Sequence, residues 1–196
     1  MVCQEILIID LDVTLIIENS FPLWVRYFLF GRFSHLTLGE KFSLRIAVVW
    51  LIFKRKIFGT SHRINHYHLK NNLQILWQEK ASNQDLQDFL SILQSKIRPD
   101  FLPIIEEIKT GGKLAILATS AASIYAKPFG EMLGFPATLA SEINGEENRC
   151  EEKKRKVLEY IAAHNLQNHK KIVYTDHIED KPLMEIADEV VLFGNK

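Results

Sequence analysis

The most reactive residue types of the chain stand at the end of an apolar run, where Ile6-Leu7-Ile8-Ile9 leads directly into Asp10-Leu11-Asp12-Val13-Thr14. Four consecutive apolar residues mark a strand covered on both faces, and in open parallel sheets ligands bind beyond the carboxyl ends of the strands. On an extended chain Asp10 and Asp12 leave the same face, so two like charges meet unless a cation or a shared proton relieves them. A hard divalent metal with oxygen ligands is the simplest relief. The competing reading of Asp10-Leu11-Asp12 is a turn or a helix cap, both of which favour Asp.

Three further segments bear on that choice. One is 114–120, ending in Thr119-Ser120; another is Lys154 near a helix start; the last is Ile172-Val173-Tyr174-Thr175-Asp176, with Asp180 four residues on. An acid pair, hydroxyls, a lysine and a second acid pair are the parts of phosphoryl transfer. A metal and a lysine offset phosphate charge, hydroxyl and backbone N–H groups grip the oxygens, and a carboxylate attacks phosphorus in line.

These groups must be positioned by the elements between them. From Ser20 to about Lys96 the apolar residues recur at spacings of three and four, which predicts helices over 20–32, 38–54, 60–79 and 83–97, the last capped by Ser82 or Asn83. After Arg98-Pro99 helices and strands alternate: helix 101–110, strand 113–118, helix 122–133, strand 138–140, helix 153–165, strand 171–175, helix 182–187 and strand 189–193. Alternation of this kind implies a parallel sheet with helices on both faces. The strand at 5–10 is separated from its partners by the helical stretch, which is therefore read as an insertion.

In order and spacing the four segments resemble the motifs of the haloacid dehalogenase superfamily, in the branch of phosphoserine-phosphatase-like enzymes with a helical cap after the first motif. Particularly similar are 117–128 leading to Leu133-Gly134-Phe135, and Tyr174-Thr175-Asp176-His177-Ile178-Glu179-Asp180-Lys181-Pro182-Leu183. The resemblance implies an α/β fold, a doubly wound parallel-sheet (Rossmann-like) core formed by 1–17 and 99–196, with 18–98 as an inserted helical cap. It implies a magnesium-dependent phosphomonoester phosphatase in which Asp10 is the nucleophile, forming an aspartyl-phosphate, and Asp12 the general acid and then base. Magnesium would be held by Asp10, the backbone carbonyl of Asp12 and Asp176. Thr119, Ser120 and Lys154 would bind phosphoryl oxygens, with Thr14 and Asp180 in support. Lys153, Lys154 and Lys156 compete for the motif lysine. Lys154 is preferred because Leu158 and Ile161 follow at the expected four and seven positions.

The chain departs from the family pattern in three places. Val13 replaces a frequent glycine and is expected to be tolerated, and Thr175 replaces the glycine usual before the fourth-motif aspartate. Asn19 stands where phosphoserine phosphatases carry a glutamate for the substrate ammonium, with Glu18 one residue out of place. A phosphoserine substrate is therefore not expected. A receiver-type phospho-acceptor module is disfavoured, because the strand at 113–118 ends in Thr119 and not in an acceptor aspartate. A catalytically inactive fold serving as a binding or membrane-associated scaffold is the alternative.

Composition bounds the remainder. At 196 residues, with 47% hydrophobic and 24% charged residues, the chain suits one substantial core, or one core plus a small accessory domain. The formal net charge is zero, but from Arg26 to Lys70 nine basic residues face only Glu40, about +8 locally. The same stretch holds nine of the 20 aromatic residues, with Trp24 just before it, which suits an anionic, partly apolar ligand such as a phosphorylated metabolite or a lipid phosphate. Lys54-Arg55-Lys56 beside Trp50 and Phe53 is either a solvated helix end or an interfacial patch on anionic lipid. His62, His66 and His68 lack acidic or Cys companions and are read as solvated or packed in the cap, against a metal site. No nucleic-acid partner is expected. The apolar run 46–53 falls far short of the ~20 residues that span a bilayer. No secretory signal is read, and two cysteines, Cys3 and Cys150, suit free thiols in a reducing cytoplasm.

Overall fold

The computed structural model describes residues 4–57 and 62–193. Cys3 and positions 60–61 of the expected third helix lie outside the described residues, as do the side chains of 56–65. The elements follow the expected order: β1 (Glu5–Ile9), α1 (Ser20–Phe30), α2 (Leu38–Ile57), α3 (His62–Lys80), α4 (Asn83–Gln94), α5 (Leu102–Lys109), β2 (Leu114–Ala122), α6 (Ser123–Met132), β3 (Thr138–Ser141), α7 (Glu151–Ala163), β4 (Lys170–Thr175), α8 (Lys181–Met184) and β5 (Glu189–Leu192).

All five strands pair in parallel in the order β3-β2-β1-β4-β5. β1 is central because its apolar residues are hidden on both faces. Ile6 and Ile8 pack with Ile116, Val157, Ile161 and Val173 on one side, and Leu7 and Ile9 join the larger cluster on the other. The register Ile9↔Leu117 and Ile9↔Tyr174 brings the carboxyl ends of β1, β2 and β4 to one edge. β2 runs past the expected end at Ala118 to Ala122, with a shift of register against β3 on the way. A bulge of this kind re-aims the strand end, and it falls between Ala118 and Ala122, the stretch that holds Thr119 and Ser120. The stop after α6 depends on Gly134 at φ +84, where a Cβ would also press on Lys109.

The helical stretch 18–98 is joined to the sheet by two chains that pair with each other. Ile17 N–H donates to Lys96 O at 2.9 Å, and Arg98 N–H to Leu15 O at 2.9 Å. α4 starts on a capping box between Ser82 and Asp85, with Ser82 the N-cap. The helices do not carry a separate core. Trp24 is fully buried, with ring centroids 5.7 Å from Trp77 and 5.3 Å from Phe28 within the helical layer, and 5.1 Å from Tyr125 of α6. Ser20 Oγ and Tyr125 Oη are 2.9 Å apart beside it. One apolar cluster thus runs from the sheet through α6 into α1, α3 and α4. Trp24→Ala is expected to cost about 3–5 kcal/mol, and wild-type urea unfolding should be a single transition by both tryptophan emission and circular dichroism. Two separated transitions would show that the helical layer folds on its own.

Candidate active site

Asp10 follows β1 directly, and its N–H donates to Tyr174 O at 2.9 Å, so the aspartate is the last rung of the β1–β4 ladder. The chain then turns sharply, with Leu15 N–H donating to Asp10 O and Ile16 N–H to Leu11 O. The turn brings Asp12 back to the amino end of α1, where its Oδ1 accepts from Ser20 N–H at 2.6 Å. A helix amino terminus favours a carboxylate there. Burial nevertheless pushes the Asp12 carboxyl above its ordinary range, against the pull of Ser20, Lys70 and Lys153.

The turn depends on Val13, whose φ of +57 lies in the left-handed region. A β-branched side chain is strained there, so the substitution expected to be tolerated carries a conformational cost. Arg98 clamps this turn from the far side. Its Nη2 donates to Val13 O at 2.8 Å and its Nε to Thr14 O at 3.1 Å, while the guanidinium lies 5.0 Å from the Phe193 ring centroid.

The lysine at the carboxylates is Lys153, not Lys154. Lys153 Nζ donates to Asp10 Oδ1 at 3.0 Å and to Asp180 at 2.8 Å, and it is only 3% exposed. Lys154 Nζ turns outward to Glu185 at 3.2 Å. α7 starts at Glu151, and its buried residues are Lys153, Val157 and Ile161, spaced by four. Ile161 thus belongs to the stripe of Lys153, whereas Leu158 is 40% exposed. Burial works against the Lys153 ammonium, but Asp10 and Asp180 outweigh it and hold it up at about 12. Asp10 is pushed up to about 7, mainly by burial, with Lys153 opposing and Asp180 and Asp12 adding. Thr175 is fully buried, and its hydroxyl donates to Asp180 Oδ2 at 2.7 Å, so this threonine orients the acid that holds the lysine.

Asp10, Asp12, Ser120, Lys153, Asp176 and Asp180 line one cleft of about 230 Å³. Asp176 is half-buried, and burial raises its carboxyl with help from Asp180. Thr119 lies just beneath the floor, its Oγ1 accepting from Ala121 N–H and its carbonyl from Asn148 Nδ2. Thr14 is buried behind the turn and does not line the cleft.

Several cleft residues carry no motif. Lys70 of α3 is buried, and its Nζ donates to Ser120 O at 2.6 Å and to Glu147 at 2.5 Å. Its signal was a lysine sharing a helix face with Leu73, Gln74 and Trp77. Glu147 and Arg149 stand in a loop whose sequence carries no comparable pattern, and Arg149 pairs with Glu179 across the rim. His66 also lines the cleft, edge-on to Phe21 at 4.6 Å. Burial, with Lys70 and Arg55 nearby, pushes its imidazole down to about 4 and keeps it neutral. His68 is exposed.

Lys70 pairs with Glu147 and Arg149 with Glu179, so Asp10, Asp12, Asp176 and Asp180 outnumber the ammonium of Lys153, with Lys70 acting on Asp12 besides. This excess of carboxylate oxygen suits a hard divalent cation. Among the described residues no three Asp, Glu, His or Cys side chains already converge on one point.

Residues 7–185 match the family model of haloacid dehalogenase-like hydrolases. Among solved structures, a protein of unknown function from Bordetella pertussis Tohama I superposes with a TM-score of 0.69 at 16% identity, over 98% of this chain and 90% of that one. A probable phosphoserine phosphatase from Vibrio cholerae gives 0.61 at 12% identity, over 96% and 56%. A substrate-bound phosphoserine phosphatase gives 0.57 at 13%, over 96% and 85%. At these identities the likeness is one of fold. Comparison with curated protein sequences gives no match.

Val13→Gly should relieve the left-handed strain and raise stability in urea by about 1 kcal/mol, the relief exceeding the added chain entropy. A loss of stability would show that valine sits there without cost.

Proposed function

The chain belongs to the haloacid dehalogenase-like hydrolases, and from that premise we propose that it is a magnesium-dependent phosphomonoester phosphatase working through an aspartyl-phosphate. The observation that carries the reading is the contact of Lys153 with Asp10 and Asp180 at the end of β1, with Asp12 two residues on at a helix amino terminus. Asp10 attacks phosphorus, forming the P–O bond to its carboxylate as the bond to the leaving oxygen breaks. Asp12, whose raised carboxyl favours the protonated form, gives its proton to that oxygen and then takes one from the water that hydrolyses the aspartyl-phosphate. Lys153 orients Asp10 and offsets charge on the phosphoryl oxygens, with Ser120 and Thr119 lining and supporting their side of the cleft. Asp10, the carbonyl of Asp12 and Asp176 would hold magnesium, which supplies charge neutralisation during transfer.

The basic, aromatic-rich stretch 26–70 supports an anionic substrate, a phosphorylated small metabolite or a lipid phosphate. Asn19 lines the cleft where a carboxylate would meet a substrate ammonium, and its Oδ1 is engaged by Phe21 N–H at 2.9 Å. Glu18 is held by Lys96 at 2.6 Å. Both observations weigh against phosphoserine.

Asp10→Asn should abolish magnesium-dependent hydrolysis of p-nitrophenyl phosphate. A carboxyl raised from 3.8 to about 7 by folding binds more protons in the native state, so the ionised form destabilises the fold as pH rises through that window. The same variant should therefore be more stable than wild type above pH 7, by on the order of 1 kcal/mol, with the difference vanishing near pH 4. Substantial residual turnover would sink the covalent assignment. Lys153→Ala should lower the rate by about 10²–10³-fold, while Lys154→Ala leaves it near wild type; the reverse pattern would return the role to Lys154.

A further inference from the structure

Among the described residues, α2 is the long helix whose solvent side is as apolar as its buried side. Leu44 and Val48 are buried, with Leu51 and Ile52 packed against the core. At 100° per residue the opposite side is formed by Leu38, Phe42, Ile46, Val49, Trp50 and Phe53, and all six are exposed, from 49% to 86%. Trp50 and Phe53 stack on each other there, with ring centroids 6.0 Å apart. A helix apolar all round belongs in an apolar surrounding, and a contiguous exposed patch of large apolar side chains marks an interaction surface.

The charges on the same helix identify what covers it. Arg45 and Lys54 are exposed on opposite margins of the apolar face, and Lys41 and Arg55 lie nearer the core. The one acid of the helix, Glu40 in its first turn, is engaged by the N–H and hydroxyl of Thr37. A second copy docked face to face would oppose these cations with their own kind. An apolar face rimmed by Lys and Arg, with Trp and Phe at its centre, complements an anionic lipid surface. No helix among the described residues is long and apolar enough to cross a membrane, so α2 would lie in the interface plane.

We propose that the outer face of α2 docks the protein on an anionic lipid bilayer. The proposal stands apart from the chemistry at Asp10, because its test reads binding and not turnover.

The test is flotation of the full chain at low salt with equimolar phosphatidylcholine and phosphatidylglycerol vesicles, and with phosphatidylcholine alone. The protein should float with the anionic vesicles and not with the neutral ones. Tryptophan emission should shift to the blue on binding, through Trp50 alone, since Trp24 and Trp77 are already buried. The combined Phe42→Ser, Trp50→Ser and Phe53→Ser variant, and the Arg45→Glu and Lys54→Glu variant, should each lower binding by about tenfold or more. All five positions are solvent-facing, and emission from Trp24 and Trp77 reports that the variants are folded. Failure to float with anionic vesicles, or undiminished binding by both variants, would overturn the proposal. Self-association of wild type that the serine variant abolishes, without vesicle binding, would assign the face to a second copy instead.

Discussion

The structure turns on one buried ammonium. Lys153 lies between Asp10 and Asp180, and the three groups come from the end of β1, the start of α7 and the turn after β4. Removing the ammonium would leave two carboxylates facing each other out of water, at a cost of several kcal/mol. The strand ends and the helix are therefore held in one relation to each other. Thr175 extends the arrangement by fixing Asp180 through its hydroxyl. The residue that departs from the family's usual glycine thus has a positive role here. One lysine cannot neutralise four carboxylates, and the remaining imbalance makes the cleft receptive to a cation.

The helical layer is fastened to this centre in three ways. Trp24 and Tyr125 make its apolar core continuous with that of the sheet, the two connecting chains pair along 15–17 and 96–98, and Lys70 reaches Ser120 and Glu147. A buried lysine thus ties a helix of this layer to β2 at the cleft. Arg98 links the same junction to the Val13 turn. Strain at Val13 is held in place by contacts made elsewhere, which is how unfavourable backbone geometry persists at functional positions. α2 is the part of this layer that the core does not account for, because its packing demand is met on one side only.

Much of the architecture was legible along the chain. The apolar run of β1, the three-and-four spacing of α1 to α4 and the capping residue Ser82 are local signals, and local geometry reads them directly. Asp10, Asp12, Asp176 and Asp180 were legible for the same reason, since each follows a buried strand or its turn within a few residues. The helical layer's fusion with the sheet was not, because the contact of Trp24 with Tyr125 joins residues about a hundred positions apart.

The sequence by itself determined the element types, their order and the strand ends at which acidic groups gather, because periodicity and turn chemistry act over neighbouring residues. Only the tertiary structure decided which lysine meets those acids. Lys153, Lys154 and Lys156 differ in rotation about α7, and rotation is set by where Val157 and Ile161 find the sheet. Tertiary contacts likewise decided that Lys70 belongs to the cleft, that Val13 adopts a left-handed conformation, and that one side of α2 stays uncovered. Each of these depends on what a side chain meets from a distant part of the chain, and spacing along the sequence carries no such information.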